Sequence, residues 1–263
     1  MLAAARHEIL LVNDSDIRVP SDYLRKVMAP LVGDTTNDSV GLVTCLYCGV
    51  AAPTLGSHLE ALGIATEFIP GVLSARFLEK GLHYGLGSTL AFRRRDLEAI
   101  GGFEPLLDYL ADDYELGRRI AATGKRIELS AAIVTTSLPA YSMRDFFRHQ
   151  LRWSRTIRDA RPWGYAGLLF TFGLPWAFLT LIAARGAAWA WVLLAVTSAA
   201  RLAAGFVVAV LVLEGRQSFR DIVLLPLRDL LAPLLWAGSF LGNRIHWRGE
   251  VFSLKGGRLS RKC

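Results

Sequence analysis

The amino-acid sequence predicts an α/β domain followed by an α-helical transmembrane region, and three observations carry that prediction. Short apolar runs alternate with helix-compatible stretches over residues 1–141, the pattern of strands and helices stacked in layers. Gly164 to Ala184 then runs for 21 residues without a charge, enough to cross a hydrocarbon core of about 30 Å at about 1.5 Å per residue. The charge also divides. Residues 1–163 hold 19 Lys+Arg and 19 Asp+Glu, while residues 164–263 hold 11 and 4, so the whole net +7 lies in the apolar part.

Composition narrows the classes further. Across 263 residues, 52% are hydrophobic and the mean hydropathy is +0.34, too apolar for an ordinary soluble domain or a disordered chain. Three cysteines exclude a disulfide scaffold. Basic residues outside the membrane-flanking stretches form no stripe, so the positive charge reads as membrane electrostatics and nucleic acid is not an expected partner.

The polar half reads in order. Glu8–Val12 is a short apolar run fit for a buried strand, followed by the turn Asn13-Asp14-Ser15-Asp16. Ser21 can cap a helix over about Asp22–Ala29, and Val40–Leu46 is a second, β-branched strand. Gly85-Leu86-Gly87-Ser88 leads into a strand over Thr89–Phe92, then a short helix stopped by Gly101-Gly102. Asp112–Ala122 has acids first, Arg118 and Arg119 late, and Gly124 as its stop, the charge order that suits a helix dipole. Arg126–Thr136 supplies another strand, and Ser142-x-x-Asp145 resembles a capping box opening a basic helix that runs to about Asp159.

The apolar half begins with Gly164–Ala184 as a first span. Ala187–Leu213 is a second, longer and tilted one, interrupted only by Arg201. An intramembrane Arg faces protein, water or headgroups, and snorkelling to an interface is the preferred reading. Ile222–Asn243 carries Arg228, Asp229, Pro226 and Pro233, which argue against a plain lipid-facing helix. Arg148, Arg152, Arg155, Arg158 and Arg161 precede the first span and mark that side as cytoplasmic. Arg216 and Arg220 follow the second span, and Arg244, Arg248, Lys255, Arg258, Arg261 and Lys262 follow Asn243. Keeping all of these on one side predicts a re-entrant or interfacial third segment.

Three features can carry chemistry. Asp14 and Asp16 sit two apart just past a strand, where paired carboxylates can hold a divalent cation against a diphosphate. A solvated acidic turn is the plain alternative, and a phosphatase nucleophile is disfavoured by Arg18 where that class wants Thr or Val. Asp112-Asp113 opens a helix, which dipole complementarity alone explains, yet a carboxylate held ionised there can also accept a proton from a hydroxyl. His149-x-x-Arg152-Trp153 puts a donor, a guanidinium and an aromatic wall on one helical face, which would also suit a helix lying on anionic lipid. Gly85, Gly87 and Ser88 let backbone approach a donor sugar or acceptor, or form a plain loop. Cys45-x-x-Cys48 reads as core thiols, and His58 and His83 as structural.

In this order, DSD, ADDY and HQLRW followed by paired apolar spans resemble a processive-type family 2 glycosyltransferase. More narrowly they resemble the ceramide glucosyltransferase-like group, glycosyltransferase family 21. NDSDIRVP, GLGST, LADDYELG and RHQLRW are also similar to bacterial hopanoid-biosynthesis glycosyltransferases of that group. The resemblance implies a GT-A-like nucleotide-sugar domain and an inverting transfer of a hexose, glucose or N-acetylglucosamine. The donor would be a UDP-sugar and the acceptor a lipid hydroxyl at the bilayer, with Mg2+ or Mn2+ as cofactor. Carried over by position, Asp14 and Asp16 form the metal and diphosphate motif, Asp16 being the direct ligand, and Asp113 is the general base. His149, Arg152 and Trp153 border the leaving diphosphate, and Asp112 joins Gly85, Gly87 and Ser88 as a donor or acceptor loop.

The domain expectation is a partial GT-A-like catalytic domain over 1–141, an amphipathic interfacial helix over 142–163, transmembrane or re-entrant helices over 164–243 and a basic cytoplasmic tail over 244–263. The same pattern implies a multi-pass protein of the inner or cytoplasmic membrane, with its catalytic part facing the cytoplasm. His149 departs from the family's Gln or Arg, which ties its charge to pH. The family's N-terminal span and first nucleotide-binding unit are expected to be missing ahead of the strand at Glu8, so the chain is expected to be N-terminally truncated and weakly active or inactive. A polysaccharide synthase of the same fold and an inactive membrane fragment are the alternatives. The three motifs are expected to converge on one pocket beside the bilayer.

Overall fold

The computed structural model describes residues 2–32, 39–213, 219–247 and 250–261. Arg216, Arg248 and Lys262, three of the basic flanking residues, lie outside the described residues. In chain order the structure runs β1 (Ile9–Val12), β2 (Ile17–Arg18), α1 (Tyr23–Val32), β3 (Val40–Val50) and α2 (Leu55–Gly63). A π-turn (Ile64–Phe68) is next, then α3 (Ile69–Leu78), β4 (Leu90–Arg93), α4 (Arg94–Ala99), α5 (Asp112–Ala122) and β5 (Arg126–Ser137). After these come α6 (Met143–Ala160), α7 (Pro162–Gly167), α8 (Gly173–Ala183) and α9 (Ala188–Val207), which continues into a second π-turn at Val208–Val212. The described chain closes with α10 (Leu225–Ser239), β6 (Arg244–Trp247), β7 (Glu250–Lys255) and β8 (Arg258–Arg261). Two compact units result: Met1–Val50 with Ile69–Ser137, and Ala51–Phe68 with Leu138–Cys263.

The first unit is built on a five-stranded sheet in the order β1-β4-β3-β5-β2. β3 and β5 are parallel and the other pairings antiparallel, so the predicted α/β layering appears as a mixed sheet. β3 is apolar along most of its length because it is buried along most of its length, as a central strand should be. It outruns its predicted end at Leu46 because Tyr47–Val50 continue to pair with Val134–Ser137 of the long β5. Leu42, Phe92, Leu97, Leu116 and Ile120 fill the core beneath α4 and α5. Cys45 and Cys48 are buried core thiols, as the sequence predicts. β1, β3 and β5 all end at the same edge, where the Asp14–Asp16 turn carries the chain from one side of the sheet to the other.

The second unit gathers the apolar helices. Ser142 caps α6, its Oγ accepting from Asp145 N at 3.2 Å, as the sequence predicts. Phe146 of α6 is fully buried, and a Cβ at Gly56 would stand 3.1 Å from its own Cβ, so α2 and α6 need a glycine there.

Three expectations about this unit change. The first span is not one straight helix: Pro162–Thr171 and Gly173–Ala183 form a pair bent by 50°. The break falls at Phe172, and α8 restarts with Pro175 in its first turn, where a missing N–H costs nothing. Arg201 does not snorkel. Its guanidinium donates to both carboxylate oxygens of Asp229, at 2.7–3.1 Å, and to Thr66 O at 2.9 Å. It thereby joins α9 to α10 and satisfies a carbonyl in the first π-turn. The residues after Asn243 form a three-stranded antiparallel sheet, β6-β7-β8, whose β7–β8 turn places Gly256 and Gly257 at φ +58° and +76°. That is the left-handed pair a tight hairpin requires.

Among the described residues, three helical stretches are long and apolar enough to cross a membrane: Leu55–Leu78, Ala188–Val212 and Asp221–Ser239, the bent pair adding a fourth if it counts as one span. Ala188–Val212, with 25 residues and a mean hydropathy of 2.0, matches the predicted second span. Ile222–Asn243 is expected as a re-entrant or interfacial segment; Asp221–Ser239, which overlaps it, is helical, with Pro226 in the first turn of α10 and Pro233 inside it. Leu55–Leu78 was not anticipated; Ser57, His58, Glu60, Thr66 and Glu67 break its apolar run. His58 has a partner, Asp221 Oδ1, 2.8 Å from its Nδ1.

Candidate active site

In the first unit, the acidic turn, the glycine loop and the start of α5 meet. β1 ends at Val12, and Asn13 fastens the acidic turn to the rest of the unit. Its Nδ2 donates to Ser88 O at 2.7 Å and to Tyr23 Oη at 2.9 Å, while Tyr23 Oη lies 3.0 Å from Thr89 Oγ1. Asp14 N donates to Gly87 O at 3.3 Å, and Ile17 N to Asp14 O at 3.2 Å, which closes the turn. The loop is held from beneath by Thr44, whose Oγ1 lies 3.0 Å from Leu86 N and 3.1 Å from Leu86 O.

Gly87 is where the predicted residues converge. Its N–H donates to Asp113 Oδ2 at 2.6 Å. A Cβ at this position would stand 3.1 Å from both Asp113 Oδ2 and Asp14 Oδ2, so the two carboxylates flank one point that a side chain would crowd. Asp113 Oδ1 accepts from Tyr114 N at 2.7 Å, and Asp112 Oδ1 from Asp113 N at 3.0 Å, as acids in a first helical turn do. Gly85 packs under the start of α5, where a Cβ would lie 2.9 Å from Asp113 O. Asp16 is turned toward β5, its Oδ2 accepting from Thr136 Oγ1 at 2.7 Å. Ser88 is buried and spends its hydroxyl on Cys45 O at 2.8 Å, so it braces the loop.

The electrostatics invert one expectation. The helix amides do not hold Asp113 strongly ionised. Burial outweighs the bonds from Tyr114 and Gly87, with Asp112 and Asp14 adding repulsion, and its carboxyl is pushed up to about 6. Asp14 is raised by burial and then by the charges of Asp16 and Asp112, and Asp112 by burial. Among the described residues no three His, Cys, Asp or Glu side chains form a ready metal cage. The oxygen donors present still suit a hard divalent cation. Mg2+-type sites commonly take one or two carboxylates and complete their shell with water and substrate phosphates, and a cation beside Asp14 would relieve the repulsion that raises it.

The second unit holds the other motif, on α6. His149 stacks on Tyr141 with ring centroids 5.3 Å apart, and its Nδ1 lies 3.3 Å from Glu60 Oε1. Trp153 meets Phe68 edge-on at 6.0 Å and His149 at 5.9 Å, so the predicted shared face is real. Arg152 is half-buried, and burial pulls its guanidinium down from its ordinary value. Gln150, between the motif residues, bonds Glu60 and Arg228.

Sequence reasoning missed several of these side chains. Asn13, Tyr23, Thr44 and Thr136 are ordinary polar residues whose partners lie far along the chain, so no local signal marks them. Gly117 had a signal. A glycine inside a helix costs about 1 kcal/mol relative to alanine, and here a Cβ would come within 2.0 Å of Gly85 N. Gly117 lets α5 press on the glycine loop and so sets where Asp113 stands.

Comparison with known proteins supplies the family. The Glycosyl transferase family 21 model matches residues 1–260, and the chain belongs to that family. Among solved structures, the mannosyltransferase PcManGT from Pyrobaculum calidifontis, in complex with GDP-Man and Mn2+, matches at a TM-score of 0.42 and 22% identity. The match covers 91% of this chain and 62% of that one, so the chain spans less than two thirds of that mannosyltransferase.

Proposed function

We propose that this protein is an inverting glycosyltransferase that moves a hexose from a UDP-sugar to a lipid hydroxyl at a membrane face. Family membership supports glycosyl transfer. The observation that carries the finer reading is the meeting of Asp14 and Asp113 at Gly87. In this reading Asp113 is the proton acceptor, beside Asp14 as a carboxylate suited to a cation-bound diphosphate. The long apolar helices support a lipid acceptor, and in this reading the arginine-rich flank of α6 keeps the catalytic part on the cytoplasmic side.

In this reaction the acceptor oxygen bonds to the anomeric carbon as the bond from that carbon to the diphosphate oxygen breaks, inverting the configuration. Asp113 takes the acceptor proton, and a carboxylate raised to about 6 is a stronger base than an ordinary one while still ionised at neutral pH. Asp14 and Asp16 would hold the divalent cation, which supplies charge neutralisation to the departing diphosphate. His149, Arg152 and Trp153 are the residues that the family resemblance assigns to binding the donor diphosphate. Gly87 keeps the space between the two carboxylates open to the donor.

Incubating membranes that contain the protein with radiolabelled UDP-glucose or UDP-N-acetylglucosamine, then extracting lipid, tests the proposal. Label should enter the lipid phase as a single-sugar product and be lost in Asp113→Asn. Long polymer instead of glycolipid, or equal labelling by the variant, contradicts it.

A further inference from the structure

The turn of α6 that carries His149, Arg152 and Trp153 is tied to the apolar helices by a chain of polar side chains, of which Glu60 and Arg228 are buried. Gln150 is its link. Its Nε2 donates to Glu60 Oε2 on α2 at 2.5 Å, and its Oε1 accepts from Arg228 Nη2 on α10 at 2.8 Å. The same Arg228 nitrogen donates to Glu67 Oε2 in the first π-turn at 2.8 Å. Glu60 also faces His149, so both of its oxygens are turned to α6.

The fold makes room for this chain. Arg228 has a side chain only 5% exposed, and its guanidinium lies over the Phe146 ring of α6 at 5.9 Å. A Cβ at Gly63 would stand 2.7 Å from Arg228 Nε, so α2 leaves out a side chain where the guanidinium passes. Burying charge among apolar helices is costly, and packing alone can hold helices together. The neighbouring pair, Arg201 with Asp229, joins α9 to α10. The Arg228 chain differs because it ends on α6, one residue from His149 and two from Arg152.

We infer that Arg228 and Glu60 are positioning residues: acting through Gln150, they fix the orientation of the His149–Trp153 turn. What that turn does rests on the proposed function; how it is held does not.

The test uses the full chain in native membranes or detergent. Arg228→Met/Glu67→Gln removes one ion pair whole, so neither partner is left without the other, and Gln150→Met cuts the chain from the α6 side. Arg201→Met/Asp229→Leu removes the neighbouring pair as the control. Hydrogen exchange of the amides of residues 149–153 is measured beside kcat and donor KM, with UDP-glucose and UDP-N-acetylglucosamine as the probes. The first two variants should speed exchange at 149–153 by about tenfold or more and lower kcat by a similar factor, with KM moving less than about threefold. Arg228→Lys, which keeps the charge, should recover part of kcat, and the control should change neither reading by more than about twofold. Unchanged exchange in both test variants, unchanged kcat despite faster exchange, or equal loosening of α6 by the control overturns the inference. If the wild-type chain transfers neither sugar, the proposed function fails and exchange alone decides the positioning.

Discussion

The acids around Gly87 and Asp229 among the apolar helices are handled in opposite ways. Asp113, Asp112 and Asp16 take their hydrogen bonds from backbone N–H groups and a threonine hydroxyl. Asp229 takes its bonds from the guanidinium group of Arg201. A carboxylate matched to a fixed cation is a structural tie, whereas a carboxylate crowded by other acids and held by dipoles is left with affinity for a proton or a metal ion. The contrast separates groups that hold the molecule together from groups available for chemistry.

Three substitutions and one pH series probe that separation. The largest expected effect is on turnover. Asp113→Asn should lower kcat by about 10²-fold or more, measured by sugar transfer to lipid, because it removes the proton acceptor and keeps the shape. Retained membrane insertion and helix content would show that the loss is chemical. Next comes Arg201→Met, which leaves Asp229 buried without its guanidinium partner and should cost about 3–5 kcal/mol in denaturant or thermal unfolding. The double variant Arg201→Met/Asp229→Leu should recover most of that loss, and a mild single variant would place Arg201 with the weak surface pairs.

Gly117→Ala should destabilise by about 2–3 kcal/mol, since its methyl group would meet backbone that has no rotamer to change. Activity should fall along with stability, because the same contact sets the start of α5.

The smallest effect is the most specific. A carboxyl with a raised folded-state pKa favours folding at acid pH, and that contribution is lost as pH rises through its folded value. For Asp113 the loss runs from about pH 4 to just above its folded value of about 6. In metal-free protein, Asp113→Asn should therefore unfold at a higher temperature than wild type at pH 8, by about 1–2 kcal/mol after allowance for partial exposure, and match it near pH 4. Equal stability at both pH values would mean that Asp113 is not strained by burial.

How much of the molecule is legible in the sequence depends on how local each signal is. The α5 helix is readable to the residue because its acids, its arginines and Gly124 all lie within or next to it. The Asp14, Gly87 and Asp113 convergence is readable only as three motifs, because the pairing of β1 with β4 brings residues 14 and 87 together across a long stretch of chain. The ion pairs of Arg201 and Arg228 are hidden for a related reason. A charge in an apolar run reads the same whether it faces a headgroup or a partner on another helix. The C-terminal hairpin does carry a local signal: Gly256-Gly257 between two alternating segments is a strong turn signal, outweighed in the sequence by the basic charge around it.

Manganese binding in the presence of UDP, followed by electron paramagnetic resonance, bears most directly on the claim that the acidic turn is the cation and diphosphate site. Wild-type protein should bind Mn2+ more tightly once UDP is present, and Asp14→Asn/Asp16→Asn should weaken that binding by at least about tenfold. Equal Mn2+ affinity in the two proteins would contradict the account, whatever their activities.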